Sequence, residues 1–163
     1  MTLRSAFADT MLRLMEEDET VIVLLGDIGV WAFREHARRW PTRVINAGVA
    51  ECGMVGMAAG LAMSGLYPVV STISSFLVRR AYEFIRLDFG EQNLPGLFVG
   101  VGGEKEYAKL GPTHMCDEEF CLMDEIPRMA LTYFKPQESQ VDEWIRAAVG
   151  GRTLSYMSLE EWK

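Results

Sequence analysis

Short runs that are apolar on both faces, alternating with helix-period segments, constrain this sequence more than any other feature. Residues 20–25 read TVIVLL, residues 67–72 YPVVST and residues 97–101 LFVGV. A strand with little polar alternation is covered on both sides, which is the pattern of a buried parallel sheet. Residues 43–46, 130–133 and 153–157 add shorter strands. Between them lie helical patterns. Residues 3–16 carry Phe7, Met11, Leu14 and Met15 at helical spacing. Residues 31–39 read as a helix that Trp40-Pro41 stops. Further helices are expected over residues 51–64, 76–89, 120–125 and 139–149. This alternation predicts an α/β fold: a three-layer, open, mostly parallel sheet with helices on both faces. Such sheets bind ligands beyond the carboxyl ends of their strands. Residues 26–29, 46–51, 72–76 and 102–114 each follow a strand, so four separated stretches converge on one edge. The last is a Gly-containing polar loop, long enough to be functional.

Residues 51–64 read ECGMVGMAAGLAMS, apolar and rich in small side chains on every face. A helix of that kind is expected to be buried on all sides, with Gly65 as its cap. Glu51 opens it. A carboxylate there is favoured by the helix dipole by about 0.3–1 kcal/mol, so Glu51 reads as a helix-starting residue. That is the leading reading from the residues alone, and the alternative is a buried acid that holds or shares a proton.

Composition narrows the function classes. The net charge is −7 over 163 residues, and no basic run or basic helix face is present. Such a surface repels nucleic acid. The cationic residues between 34 and 43 are diluted by Glu35 and read as a solvated helix face, with His36 expected to face solvent. Three cysteines, Cys52, Cys116 and Cys121, form no disulfide framework and suit a reducing compartment. Cys116 and Cys121 are expected to be packing residues. With only His36 and His114, no zinc pattern forms. The first residues lack the apolar core of a signal peptide, and no stretch reaches membrane-span length. A soluble, cytoplasmic protein without membrane contact is expected.

Residues 44–65 read VINAGVAECGMVGMAAGLAMSG. They resemble the stretch of transketolases and deoxyxylulose-phosphate synthases in which a glutamate precedes a small-residue helix ending in AAGLA-x-x-G. Tyr67-Pro68-Val69-Val70, Ser74-Ser75-Phe76-Leu77 and Arg80-Ala81-Tyr82 resemble the next block. Asn93-Leu94-Pro95, Gly111-Pro112-Thr113-His114, Ile126-Pro127-Arg128-Met129 and Pro136 follow in the family's order. The likeness runs from about residue 21 to residue 157. It is a likeness to the pyrimidine-binding domain of the transketolase family, whose cofactor is thiamine diphosphate.

The resemblance implies a role for each matched residue. Glu51 would hydrogen-bond N1′ of the cofactor's aminopyrimidine, favouring the tautomer whose 4′-nitrogen takes the proton from C2. Phe76 would stack on that ring. Ile73 and Arg79 would line the cofactor pocket, and Asp27 would lie near it, although a turn-stabilising Asp accounts for Asp27 equally well. His114 would face the substrate and move protons near its carbonyl. Three positions depart from the family. Cys52 stands where relatives carry His or Gln. Leu110 stands where sugar-using relatives carry an Asp that binds a hydroxyl. Gly102 stands where a second substrate histidine is common. An unmade hydrogen bond to a polyol would cost about 1–3 kcal/mol.

The resemblance also implies organisation. Residues 1–163 are expected to be a single pyrimidine-binding domain, with no diphosphate-binding domain and no C-terminal transketolase domain. The metal pattern Gly-Asp-Gly with a later Asn is absent, and Gly26-Asp27-Ile28-Gly29 only imitates its start. Diphosphate and Mg2+ (or Ca2+) would then be held by a separate subunit, in a heterodimer or α2β2 heterotetramer. The implied activity is that of a thiamine-diphosphate-dependent transferase, active only with its partner, on a ketose phosphate or 2-oxoacid. Two other readings stand. One is the β-like half of a 2-oxoacid dehydrogenase or acyloin-forming enzyme, against which the Gly111–His114 motif argues. The other is a non-catalytic scaffold or regulator, against which Glu51 and Phe76 argue.

Overall fold

A computed structural model describes residues 2–134 and 136–160. Its centre is a six-stranded, wholly parallel sheet of β1 (Val21–Leu25), β2 (Val44–Asn46), β3 (Tyr67–Ile73), β4 (Gly96–Val101), β5 (Met129–Phe134) and β6 (Leu154–Leu159). The strand order is β2-β1-β3-β4-β6-β5. Alternation of side chains along each strand divides the core into two layers. Val23, Val69, Val99 and Met157 meet α1 (Leu3–Glu17) and α6 (Glu138–Gly151) through Met11, Leu14, Val141 and Ile145. Leu24, Val70, Phe98 and Tyr156 meet α3 (Glu51–Met63) and the helical stretch after β3 through Met54, Ala58, Leu77 and Ile85. The three-layer α/β architecture expected from the apolar runs is the one observed.

Five expectations need correction. The helix expected over residues 31–39 is shorter, α2 (Arg34–Arg39). On it His36 is 3% exposed, not solvent-facing. It sits three residues after buried Phe33 and shares its inward face, and its Nε2 lies 2.8 Å from the Ala8 carbonyl oxygen. The helix beginning at Glu51 is not buried on all sides. Gly53, Gly56, Met57, Gly60 and Met63 form an exposed stripe at three- and four-residue spacing, because only the opposite face meets the sheet. The helix expected over residues 76–89 is broken into a π-helical turn (Phe76–Arg80), α4 (Tyr82–Phe84) and a π-helical segment (Ile85–Glu91). Buried Leu77, Ala81, Ile85 and Phe89 recur every four residues. That spacing drifts by about 40° per step in a 3.6-residue helix, and the wider π turns bring it back to one face. Finally, Cys121 is exposed rather than packed, although Cys116 is buried. Among the described residues, no helix is long and apolar enough to cross a membrane.

Candidate active site

β2 runs through Asn46 into residues 47–50 and then into α3, which delivers Glu51 to the carboxyl edge of the sheet. The carboxylate is 1% exposed. Its Oε2 accepts a hydrogen bond from Arg80 Nη1 at 2.6 Å. Its Oε1 is buried with no hydrogen-bond partner among the described residues. A buried acceptor left unmatched costs about 1–3 kcal/mol, so this oxygen is the most conspicuous polar feature of the edge.

β3 leads to buried Ser74 and Ser75 and then to the π turn that carries Phe76, Arg79 and Arg80. The Arg80 guanidinium lies over the Phe76 ring, 4.4 Å from its centroid. On Phe76 the His114 ring makes an edge contact, with centroids 4.9 Å apart and planes at 65°. Thr113 Oγ1 and His114 Nδ1 are 3.0 Å apart. Glu51, Arg80, Phe76 and His114 thus form one continuous chain of contacts. A groove of about 440 Å3 runs beside them, lined by Ser75, Phe76, Arg79, Arg80, Pro112 and Thr113.

Arg79 turns the other way. It donates to the carbonyl of Met115 at 2.7 Å and pairs with Glu118 through Nε and Nη2. That partner holds the Glu118 carboxyl down to about 2. Ser75 Oγ donates to the Thr113 carbonyl at 2.8 Å. The loop that carries His114 is therefore latched to the first turns after β3 at two points.

The remaining sequence candidates lie apart from this chain of contacts. Asp27 has a left-handed φ of 56°. Its N–H donates to Asn46 Oδ1 at 3.1 Å, and Asn46 Nδ2 donates back to Asp27 Oδ1 at 3.0 Å. The pair ties the ends of β1 and β2 together. Ile73 is half-buried at the end of β3. Leu110 is exposed on a 3-10 turn. Gly102 follows β4 with φ 97°, and a Cβ there would overlap the Tyr107 ring, so a side chain at this position is strained and displaces that ring.

Two residues of this edge were not singled out by sequence reasoning. Arg80 enters the sequence reading as a motif residue, with the register between it and Arg79 open by one position. Glu119 is fully buried at the start of α5 (Glu119–Asp124) and accepts hydrogen bonds from Tyr156 Oη at 2.6 Å and Ser158 Oγ at 2.7 Å. Burial pushes its carboxyl above the usual range, with Glu160 adding to the shift. Its four-residue spacing to buried Met123 was the available signal. Among the described residues no cluster of three or more His, Cys, Asp or Glu side chains could hold a metal ion. Chemically, the edge offers a buried carboxylate with a free acceptor, an aromatic face and an imidazole.

A family model described as "Transketolase, pyrimidine binding domain" matches residues 1–161. The chain is 37% identical over 123 residues to the "Uncharacterized 33.6 kDa protein in fasciation locus" of Rhodococcoides fascians, covering 76% of this chain and 39% of that protein. It is 30% identical over 138 residues to the 6-deoxy-6-sulfo-D-fructose transketolase subunit SqwH of Clostridium sp. (strain MSTE9), covering 84% of this chain and 42% of that one. A solved structure described as "Split gene transketolase, inactive beta4 tetramer" aligns at TM-score 0.86 and 25% identity, over 98% of this chain and 51% of that one. The chain spans about two fifths of the length of these curated relatives.

Proposed function

The chain belongs to the transketolase pyrimidine-binding domain family, and from that premise we propose that it binds the aminopyrimidine half of thiamine diphosphate and completes an active site together with a separate diphosphate-binding chain. The family depends on thiamine diphosphate. The observation that carries the reading is Glu51: a carboxylate buried to 1% exposure with one oxygen unmatched. A flat heterocycle with a ring nitrogen suits that oxygen, and the adjacent Phe76 suits its face.

When bound, thiamine diphosphate supplies an acidic carbon and an electron sink for chemistry at a bond next to a ketone. The chain's own residues do the rest. Glu51 holds or shares the proton at N1′, in surroundings where burial strengthens its hydrogen bond. The first turn of α3 favours its negative charge. Phe76 orients the ring, and His114 faces the substrate carbonyl as a hydrogen-bonding or proton-moving group. The latches from Ser75 and Arg79 hold the His114 loop against Phe76. In this reading a second chain holds Mg2+ and diphosphate. Subunit names among the relatives support the same division. The reaction class proposed is ketol transfer or carbon–carbon cleavage on a ketose phosphate or 2-oxoacid.

The test is co-expression with a neighbouring-gene product that carries the Gly-Asp-Gly…Asn motif, followed by titration with thiamine diphosphate and Mg2+. Saturable binding that needs both chains, with turnover on one member of a panel of ketose phosphates and 2-oxoacids, is expected. Glu51→Gln should lower that turnover by about 10²–10⁴-fold. Binding that ignores the partner, or unchanged turnover in the variant, would overturn the reading.

A further inference from the structure

Arg80 engages the two side chains, Glu51 and Phe76, that a bound aminopyrimidine would engage. Its guanidinium is flat and nitrogen-bearing, donates to a carboxylate, and stacks on aromatic rings. Here it donates to Glu51 Oε2 at 2.6 Å and lies 4.4 Å from the Phe76 centroid. We propose that Arg80 is an internal placeholder for the pyrimidine ring, displaced from Glu51 and Phe76 when the cofactor enters. This rests on the pyrimidine-site reading above and adds to it a competition within the chain.

Three observations support displacement rather than joint binding. Phe76 is engaged twice, by Arg80 and by the edge of His114 at 4.9 Å. A ring that stacks on Phe76 must therefore move one of them. His114 is the less movable, because its loop is latched by Ser75 to the Thr113 carbonyl and by Arg79 to the Met115 carbonyl. Arg80 is the more movable. Its side chain is 46% exposed, and its guanidinium makes no further hydrogen bond among the described residues. The π turn at Phe76–Arg80 puts the two residues on one side of the stretch, four positions apart, so the guanidinium can leave by rotation of its own stem.

The device has a physical use. A buried carboxylate without a counter-charge is strongly destabilising. Glu51 must be buried to act on a cofactor, and a cofactor held mainly by another chain is absent until the two assemble. Arg80 neutralises Glu51 in the interval. It satisfies only one oxygen, so it holds the site less completely than a ligand could, and it yields.

The experiment compares wild type, Arg80→Met, Glu51→Gln and the double variant. In the full chain without partner, Arg80→Met should lower the melting temperature more when Glu51 is present than in the Glu51→Gln background, where only the contact with Phe76 and a neutral hydrogen bond are lost. In the assembled complex, Arg80→Met should tighten thiamine diphosphate binding, read by calorimetry, by about tenfold, the equivalent of one charge-assisted hydrogen bond no longer broken. Weaker or unchanged cofactor binding in Arg80→Met, with binding still dependent on Glu51, would overturn the placeholder and leave the pyrimidine site standing. Equal loss of melting temperature in both backgrounds would also overturn it. No cofactor binding by any assembled form would instead defeat the pyrimidine-site reading itself.

Discussion

Replacing Gly102 by alanine should cost the fold far more than a single methyl group suggests. Gly102 has φ 97°, where an L side chain is strained. Holding a non-glycine residue in such a sparsely populated region costs about 1–3 kcal/mol. The new Cβ would also overlap the Tyr107 ring. That ring is not free to retreat, because its hydroxyl accepts from Arg4 Nη2 at 2.9 Å and the Arg4 guanidinium lies 5.6 Å from its centroid. Overpacking of this kind costs about 1–3 kcal/mol. The two together give about 4 kcal/mol, or a fall in melting temperature of roughly 8–16 °C for a chain of this length. Urea and thermal unfolding followed by circular dichroism measure it. Repeating the substitution in a Tyr107→Ala background separates the parts, since only the backbone share, about 1–3 kcal/mol, should remain. A loss below about 1 kcal/mol, or the same loss in both backgrounds, would refute the reasoning. The consequence for function is direct. Gly102→His would meet the same obstacles, the φ of 97° and the Tyr107 ring where its side chain begins.

Arg79→Ala should unlatch the His114 loop. With the ion pair half exposed, about 1–2 kcal/mol is expected, together with faster hydrogen exchange at residues 113–118 and little change elsewhere. Glu119→Gln should change the pH dependence of stability. The Glu119 carboxyl is raised above 4.5 by burial, so the folded chain holds that proton more tightly than the unfolded chain does. Its contribution is therefore greatest below pH 4.5 and is lost as pH rises through the folded-state value. Stability relative to the Gln variant should fall across that window, and parallel curves would contradict it. Alkylation of the native protein should label exposed Cys121 and spare Cys116, whose buried thiol is pushed up to about 12. Peptide mapping before and after unfolding distinguishes the two.

The central strands were legible because they carry runs apolar on both faces, and a run such as residues 21–25 fits no other element of that length. The position of Glu51 was legible from the short strand and the small residues that precede it. What the sequence hid has physical causes. A helix apolar on every face carries no moment to point it, so the open stripe from Gly53 to Met63 could not be told from the packed one. His36 sits among charged neighbours, and only its relation to Phe33 turns it inward. The choice between Arg79 and Arg80 depends on π turns, which alter the register that a 3.6-residue reading assumes. Glu119 follows Asp117 and Glu118 and reads as one of a solvated acidic run. Its burial is decided by hydroxyls on β6, more than thirty positions away.

The claim that Glu51 is a proton-handling acid is tested most directly by exchange of the cofactor's C2 proton. The assembled complex, loaded with thiamine diphosphate and Mg2+, is diluted into D2O, quenched with acid after milliseconds to seconds, and assayed by NMR for deuterium at C2. The wild-type complex should exchange faster than the Glu51→Gln complex by about 10²–10⁴-fold, with the cofactor bound in both. Equal exchange rates with equal occupancy would contradict the account.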